Sequence, residues 1–350
     1  MPKIIAAAHA FPPHSVSQQV LKETAGRIFA GRVSDLERLL AIFDNSRIES
    51  RQFMMPTQWY LERRTPQERN QVYQRQGLEL IVEAARNCLA AAGCAAGELD
   101  HVIFVSSTGH ATPSLDAHLI NRLGLRPSTS RAPIWGLGCA AGAAGLSRAF
   151  EHCKACPDHR VLLVALECCS LAFSAADASK RNLVASSLFA DGAAAALVVG
   201  ELDPRSGPAI VATRSHLFPD SYRIMGWDFL EEGMQLVLSP KLPLIVRQEL
   251  PRLVTGFLEA HGLEPGDLAH YITHPGGARV MDAYRDALRL SGGELGLSED
   301  VLRLHGNVSS VSVLVVLERW LAGNAARTAG HGLLSAFGPG FSAELLLLRV

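Results

Sequence analysis

Residues 135–150 read Trp-Gly-Leu-Gly-Cys-Ala-Ala-Gly-Ala-Ala-Gly-Leu-Ser-Arg-Ala-Phe, the most informative stretch of the chain. Its glycines permit a tight turn just before a helix of small residues that begins at Cys139. There, unpaired backbone N–H groups and the positive end of the helix dipole favour the thiolate, which is the form that attacks thioesters. Cys139 is therefore a candidate nucleophile, although the pattern alone fits a buried structural cysteine equally well.

Strand-like and helical patterns alternate on both sides of this stretch. Apolar runs typical of strands lie at 102–105 and 161–166, and helical patterns lie at 114–123 and 140–153. Such alternation predicts an α/β fold with largely buried strands.

The chain divides at a polar turn cluster that begins at Glu201, giving halves 1–205 and 206–350. The order of elements recurs across this boundary: the segments that begin at His101, Gly136 and Phe189 are echoed by those that begin at His270, Leu304 and Phe337. Both halves therefore look like copies of one unit. The turn residues of the two copies are expected at equivalent strand and helix ends, where a shared site could form.

Composition excludes several classes of protein. The 350 residues are 48% hydrophobic and carry 33 basic against 34 acidic side chains. The protein therefore has no broad positive electrostatic field that would bind nucleic acid or an anionic membrane. The seven cysteines are irregularly spaced, which favours reduced thiols in the cytoplasm over a disulfide framework. The apolar runs are shorter than the roughly 18 residues of a membrane span. The apolar N-terminus is expected to be a first strand rather than a signal peptide.

Two turns in the second half supply partners for a reactive cysteine. His274 ends an apolar strand run and precedes Pro275-Gly-Gly, and Asn307 lies just ahead of the apolar helix at 311–320. An imidazole and a carboxamide can together donate hydrogen bonds to one oxygen and so stabilise the enolate formed when a malonyl group loses carbon dioxide. Each of these residues alone fits a structural role. Only their occurrence together with Cys139 indicates a catalytic site.

The combination resembles the type III polyketide synthases, the chalcone synthase family. Cys139 in its glycine turn, His274-Pro-Gly-Gly, Gly306-Asn307-Val-Ser-Ser and Phe337-Gly-Pro-Gly occur in that family's order and approximate spacing, and the likeness runs nearly end to end. It implies a thiolase fold with a layered αβαβα core, a homodimer and acyl-CoA and malonyl-CoA as substrates. It implies no metal or redox cofactor, and no membrane insertion is expected.

Residue roles follow from the resemblance where the motifs match. Cys139 would hold the starter and the growing chain, while His274 and Asn307 would drive decarboxylation. Phe189 would be the aromatic gatekeeper beside the coenzyme A tunnel, and Arg51 would lie near the coenzyme A phosphates, with Arg47 as a compensating cation for Glu49. The other expected cavity residues are Ser107, Thr108, Thr112, Cys169, Trp227, Leu236, Ser309, Gly338, Pro339 and Gly340.

Departures from the plant pattern bear on the starter. Trp227 replaces a glycine, Leu236 replaces a second gatekeeper phenylalanine, and Glu167-Cys-Cys-Ser resembles bacterial members. We expect a medium- or long-chain fatty acyl starter that is extended to an alkylpyrone or alkylresorcinol. The alternatives are condensation of malonyl units alone to a naphthalene-type product, and a ketoacyl synthase III-like enzyme.

A possible metal knuckle is formed by His152-Cys153-Lys-Ala-Cys156 with His159. A structural zinc site usually has a second ligand pair at matching distance, and the sequence shows none. No bound metal is therefore expected.

Overall fold

The structure is a computed structural model that describes residues 1–231, 233–323 and 328–350. In these ranges the strands are β1 (Lys3–Ala10), β2 (His14–Ser17), β3 (Ser50–Phe53), β4 (His101–Ser106), β5 (Ser130–Trp135), β6 (Arg160–Cys168), β7 (Asp191–Val199), β8 (Ala209–Leu217), β9 (Met225–Leu230), β10 (Gly233–Leu238), β11 (Leu268–Thr273), β12 (His331–Gly338) and β13 (Ser342–Arg349). The α-helices are α1 (Gln18–Phe29), α2 (Leu36–Asn45), α3 (Thr57–Tyr60), α4 (Pro66–Ala92), α5 (Leu115–Leu123), α6 (Ala141–Ala155), α7 (Lys180–Leu188), α8 (Leu242–Glu259), α9 (Ala278–Leu288), α10 (Gly296–His305) and α11 (Ser310–Ala322).

A mixed sheet of nine strands runs through both halves in the order β11-β12-β13-β8-β1-β7-β6-β4-β5. The halves meet where Lys3 of β1 pairs with Ala209 of β8. Outward from this junction, the N-terminal half runs β1-β7-β6-β4-β5 and the C-terminal half runs β8-β13-β12-β11. The first four strands of each half thus occur in corresponding order, which confirms the expected pair of similar units, and β5 is an additional edge strand of the N-terminal half.

Helices α6 and α11 lie between the two halves of the sheet and share a central core with inward-facing residues such as Ile103 and Val105 of β4. Because successive strand residues point to opposite faces, Val102 and Phe104 instead pack beneath α4 on the outer side. Helices α8 and α9 cover the outer face of the C-terminal half. The layers are helix, sheet, helix, sheet and helix, as the predicted thiolase fold requires.

The crossing of α6 and α11 depends on a glycine. A Cβ atom at Gly142 would lie 2.3 Å from the carbonyl oxygen of Ser310 at the start of α11. Since real Cβ atoms do not approach an oxygen so closely, only glycine lets the two central helices come together here. This contact brings the N-termini of both helices to one place, with Cys139 just ahead of α6 and Asn307 just ahead of α11.

The N-terminal apolar stretch forms β1, which pairs antiparallel with β7, so the expectation of a first strand is confirmed. Among the described residues, none of the helices is both long enough and apolar enough to cross a membrane.

Candidate active site

Cys139 lies in a 3-10 turn, Gly138–Ala140, that leads directly into α6. Gly138 has a φ of +45°, and a Cβ there would lie 2.8 Å from Cδ of Pro339. The Gly138 N–H donates to Oγ of Ser107 at 2.9 Å. These contacts hold the cysteine at the N-terminus of a central helix, where its side chain is 6% exposed.

The thiol of Cys139 is protonated in the resting site. Burial raises its pKa to about 12, and hydrogen bonds with Ser309 and Asn307 offset only part of this effect. Burial therefore opposes the thiolate that the helix N-terminus was expected to favour. The cysteine needs a nearby base.

His274 is the candidate base. It follows β11, and its backbone N–H donates to the carbonyl of Ser335 on β12 at 2.9 Å. The side chain is 4% exposed, and neither ring nitrogen has a hydrogen-bond partner among the described residues. Burial lowers the pKa of His274 to about 3, so the ring is neutral and can accept a proton.

Asn307 connects the cysteine to the histidine segment. Its backbone is fixed by bonds with the Leu188 carbonyl and the Ala190 N–H, each 3.0 Å. Its Nδ2 donates to the Gly276 carbonyl at 3.1 Å, two residues beyond His274, and its Oδ1 lies 4.0 Å from Sγ of Cys139. Because an amide NH₂ has two donors, the oriented group retains one N–H for a ligand oxygen. The structure thus joins Cys139 to Asn307, and Asn307 to the segment that follows His274.

A buried carboxyl group that the sequence analysis did not assign to the site lies behind this arrangement. Oε1 of Glu167 accepts from Oγ of Ser310 at 2.7 Å, and its Oε2 accepts from the Ser107 N–H at 3.2 Å. Burial raises the pKa of Glu167 to about 7. A charged residue inside the apolar run 161–168 was the signal available in the sequence.

The protonation of Glu167 gives a testable pH dependence. Its folded-state pKa lies above the ordinary value of 4.5, so its contribution to stability is complete below 4.5 and is lost as pH rises through 7. We expect the stability advantage of wild type over Glu167→Gln to shrink between pH 5 and pH 8.5, by at most about 3 kcal/mol. Urea unfolding at both pH values, at one protein concentration, measures this. An advantage that stays constant or grows with pH would contradict the assignment.

A largely apolar pocket that opens to solvent has Phe189 on its wall, and Phe189 forms a backbone bridge with Asn307. Five of the expected substrate-binding residues line the pocket: Arg51, Phe189, Cys169, Trp227 and Leu236. Trp227 and Leu236 are paired across the β9–β10 hairpin, and the ring centroids of Phe189 and Trp227 lie 6.2 Å apart. Cys139, His274 and Asn307 are not on its wall. The lining residues linked to them are Phe189, which is bridged to Asn307, and Cys169, which interacts electrostatically with Cys139.

Three expected cavity-wall residues do not line this space. The hydroxyl of Ser107 accepts from the Gly138 N–H, and Oγ1 of Thr108 accepts from the Cys168 N–H at 2.8 Å, so both side chains support backbone behind the catalytic turn. Thr112 lies exposed in a separate surface groove beside Arg75. Their small size therefore does not widen the cavity within this chain, which corrects the sequence-based expectation.

Ser309 and the glycine-proline loop lie against the catalytic residues instead. Ser309 is buried, with its hydroxyl 3.5 Å from Oε1 of Glu167. A Cβ at Gly338 would lie 2.5 Å from the Leu137 carbonyl, and Pro339 packs on Gly138. The loop from Gly338 through Gly340 therefore shapes the turn that holds the nucleophile.

Arg51 is not the exposed phosphate ligand that was expected. Its side chain is fully buried, and its guanidinium donates to Oε1 of Gln18 and to the carbonyls of Phe189 and Ser186 at 3.0, 2.7 and 2.7 Å. Burial lowers the pKa of Arg51 to about 9. The residue supports the gatekeeper segment from behind and lines the cavity.

Arg47, the expected compensating cation, already forms an ion pair. Arg47 forms a bidentate ion pair with Asp282 on α9 at 2.8 and 3.0 Å, and Glu49 pairs with Arg303 at 2.8 Å. Arg47 remains more than half exposed, so it is the better placed of the two arginines to meet an anion from solvent.

Comparison with known proteins identifies the family of this chain. Residues 2–204 match the N-terminal domain of chalcone and stilbene synthases, and residues 209–350 match their C-terminal domain. A Bacillus subtilis (strain 168) protein, named only provisionally as a chalcone synthase, is 41% identical over 98% of this chain and 97% of its own length. The 1,3,6,8-tetrahydroxynaphthalene synthase of Streptomyces peucetius subsp. caesius is 39% identical over 99% of this chain and 92% of its own.

Comparison with solved structures agrees with these sequence matches. The crystal structure of 1,3,6,8-tetrahydroxynaphthalene synthase from Streptomyces coelicolor A3(2), a bacterial type III polyketide synthase, superposes with a TM-score of 0.94. The two sequences are 31% identical, and the match covers 99% of each chain.

Proposed function

Because the chain belongs to the chalcone and stilbene synthase family and is a type III polyketide synthase that condenses malonyl-CoA, we propose that it extends a medium- or long-chain fatty acyl-CoA bound at Cys139. The product is an alkylpyrone or alkylresorcinol. The family matches favour this class over a ketoacyl synthase III-like enzyme.

Loading begins with proton transfer from the Cys139 thiol to the neutral His274 ring. The thiolate attacks the acyl-CoA carbonyl, the C–S bond to coenzyme A breaks, and the departing thiolate takes the proton from the imidazolium. No net charge is created in the buried site, which matters because both groups are strongly desolvated.

Chain extension requires hydrogen-bond donors for an enolate oxygen. When malonyl-CoA loses carbon dioxide, the electron pair of the broken C–C bond moves onto the thioester oxygen as an enolate. N–H groups of His274 and Asn307 stabilise that oxygen. The enolate carbon then attacks the acyl carbonyl on Cys139, and the C–S bond to Cys139 breaks to release its thiolate. The lengthened chain, now a coenzyme A thioester, returns when this thiolate attacks its thioester carbonyl and coenzyme A leaves.

The observation that carries the starter assignment is the apolar cavity beside the gatekeeper. Its apolar lining includes the α1 side chains Leu21, Ala25 and Ile28 together with Phe173. An alkyl chain in this space gains about 0.8 kcal/mol for each methylene it buries. A starter should therefore bind more tightly as its chain lengthens, until the cavity is full.

A second candidate is condensation of malonyl-CoA alone to a naphthalene-type product. Two observations favour it: relatives at 39% and 32% identity are 1,3,6,8-tetrahydroxynaphthalene synthases, and Trp227 occupies part of the cavity wall near Phe189. This candidate needs no long alkyl space.

Chain-length dependence separates the two candidates. We expect kcat/KM to rise several-fold for each pair of methylenes from acetyl-CoA through medium-chain acyl-CoA. Cys169→Phe should abolish this rise, because Cys169 lies where the cavity approaches the thiol and is only 4% exposed. The matched variant Cys169→Ser should keep the wild-type profile. A flat profile in wild type, with malonyl-CoA alone giving the main product, would replace the lipid starter with the second candidate.

We infer a cytoplasmic homodimer. All seven cysteines are free thiols, consistent with a reducing compartment. Strand β5 forms one edge of the nine-stranded sheet and ends at Trp135, which is 50% exposed, so this edge is suited to cover by a second copy. A single-chain mass by sedimentation equilibrium would refute the dimer.

A further inference from the structure

A second cluster of chemically active side chains lies at the other end of the helix that begins after Cys139. His152 is in the last turn of α6, Cys156 ends that helix, and His159 directly precedes β6. At 1.5 Å per residue, the 15 residues of α6 separate this cluster from the nucleophile by about 20 Å. The cluster takes no part in the catalytic arrangement.

The backbone brings the three side chains together. The Cys156 N–H donates to the His152 carbonyl at 2.9 Å, and the His159 N–H donates to the Cys156 carbonyl at 3.1 Å. Nε2 of His152 and Nδ1 of His159 are 2.9 Å apart, and these atoms and Sγ of Cys156 all lie within 4.8 Å of one another. Small side-chain adjustments therefore suffice to surround one ion.

The neighbouring aromatic ring restrains this geometry further. His101 of β4 stacks on His152 with ring centroids 4.4 Å apart and an angle of 8° between their planes. The stack restrains the orientation of the His152 ring beside His159 and Cys156.

Cys153 is not part of the cluster. It is 1% exposed, and its Sγ lies 3.7 Å from both the Val198 and the His159 carbonyls. The apparent Cys153/Cys156 pair in the sequence is thus misleading, since the fold replaces it with two histidines and one partly exposed cysteine.

We propose that His152, Cys156 and His159 bind one Zn²⁺ ion, with water as the fourth ligand. Two imidazoles and one thiolate form a ligand set that Zn²⁺ accepts in tetrahedral geometry. The sequence-based argument against a metal required two ligand pairs, whereas the helix end and the following turn supply three ligands without a second pair. The ion ties the end of α6 to the start of β6 and so stabilises the fold rather than the reaction.

Cobalt titration tests the site with a probe that reports geometry. Metal-free protein should bind one equivalent of Co²⁺ with the visible absorption of a tetrahedral site and a thiolate-to-cobalt charge-transfer band, and Zn²⁺ should displace it. Cys156→Ser should remove the charge-transfer band and weaken binding at least about 100-fold, and His159→Gln should weaken binding similarly. Cys94→Ser, a cysteine at the end of α4, is the matched control and should bind as wild type does.

Zn²⁺ should also raise the thermal unfolding midpoint of wild type and of Cys94→Ser but not of Cys156→Ser. Formation of polyketide should be the same in metal-free and zinc-loaded protein. Three results would each overturn the proposal: no tetrahedral cobalt spectrum, a charge-transfer band that persists in Cys156→Ser, or a band that is lost in Cys139→Ala. Because His159→Gln leaves every cysteine in place, it tests the site even where Cys156→Ser folds poorly.

Discussion

Replacing Cys139 with alanine is expected to abolish polyketide formation, with turnover falling by about three or more orders of magnitude. The other six cysteines lack one or more of its features: the glycine turn, the position ahead of a central helix, and the carboxamide of Asn307 within 4.0 Å of the sulfur. Without the thiol, no covalent acyl intermediate forms, and the enolate has no electrophile beside it. Product analysis by mass spectrometry, with malonyl-CoA and a panel of acyl-CoAs, measures the loss.

Cys168→Ala is the matched control for this experiment. Cys168 is fully buried at the end of β6, close to the site but outside the cavity lining. Its replacement should leave turnover within a few-fold of wild type. If Cys139→Ala retained turnover comparable to the control, covalent catalysis at this residue would be disproved.

Replacing Asn307 with alanine is expected to separate loading from extension. Decarboxylation of malonyl-CoA should fall by about two to three orders of magnitude, the usual effect of removing one donor to a developing oxyanion. Loading of the starter on Cys139 should remain measurable, because His274 is still present to accept the thiol proton. Release of labelled carbon dioxide and acylation of the protein, followed in parallel, provide the two rates.

The loading rate also serves as the internal control for this variant. The Asn307 side chain bonds to the Gly276 carbonyl and accepts from the Ser309 N–H at 2.8 Å, so its loss could disturb the turn. A variant that still loads the starter has kept the catalytic turn and Cys139 in place. Decarboxylation at the wild-type rate in that variant would rule out the assigned role of Asn307.

Much of the fold was predictable because local pattern and burial agree. The apolar run at 102–105 lies within β4, and the small-residue pattern at 140–153 becomes α6, where Gly142 allows close contact with α11. Strand-end residues such as His274 were predictable for the same reason, since equivalent ends of two similar units meet at one place.

Properties that depend on solvation and on long-range contacts were not predictable. The sequence places Cys139 at a helix N-terminus but does not show how completely the surrounding layers exclude water, which decides its protonation. Arg51 was expected near the coenzyme A phosphates, yet the packing of α7 and of Gln18 encloses it. Thr112 likewise lies outside the cavity because the chain beyond β4 turns to a different surface.

The proposed zinc ligands show that side-chain direction was not predictable from spacing either. Spacing alone pointed to Cys153 and Cys156 as a pair. The helical turn instead directs Cys153 into the core and groups Cys156 with two histidines. Ligand sets on one turn of chain are therefore decided by side-chain direction as much as by spacing.

The most direct test of the central claim is to identify the residue that carries the acyl group. Wild-type protein is incubated briefly with a radiolabelled or mass-tagged acyl-CoA, quenched in acid and digested, and each of the seven cysteine-containing positions is analysed by tandem mass spectrometry. The account predicts the acyl mass on Cys139 alone, and its disappearance when malonyl-CoA is added and the chain is extended and released. Acyl label on Cys168 or Cys169, with Cys139 unmodified, would contradict the mechanism.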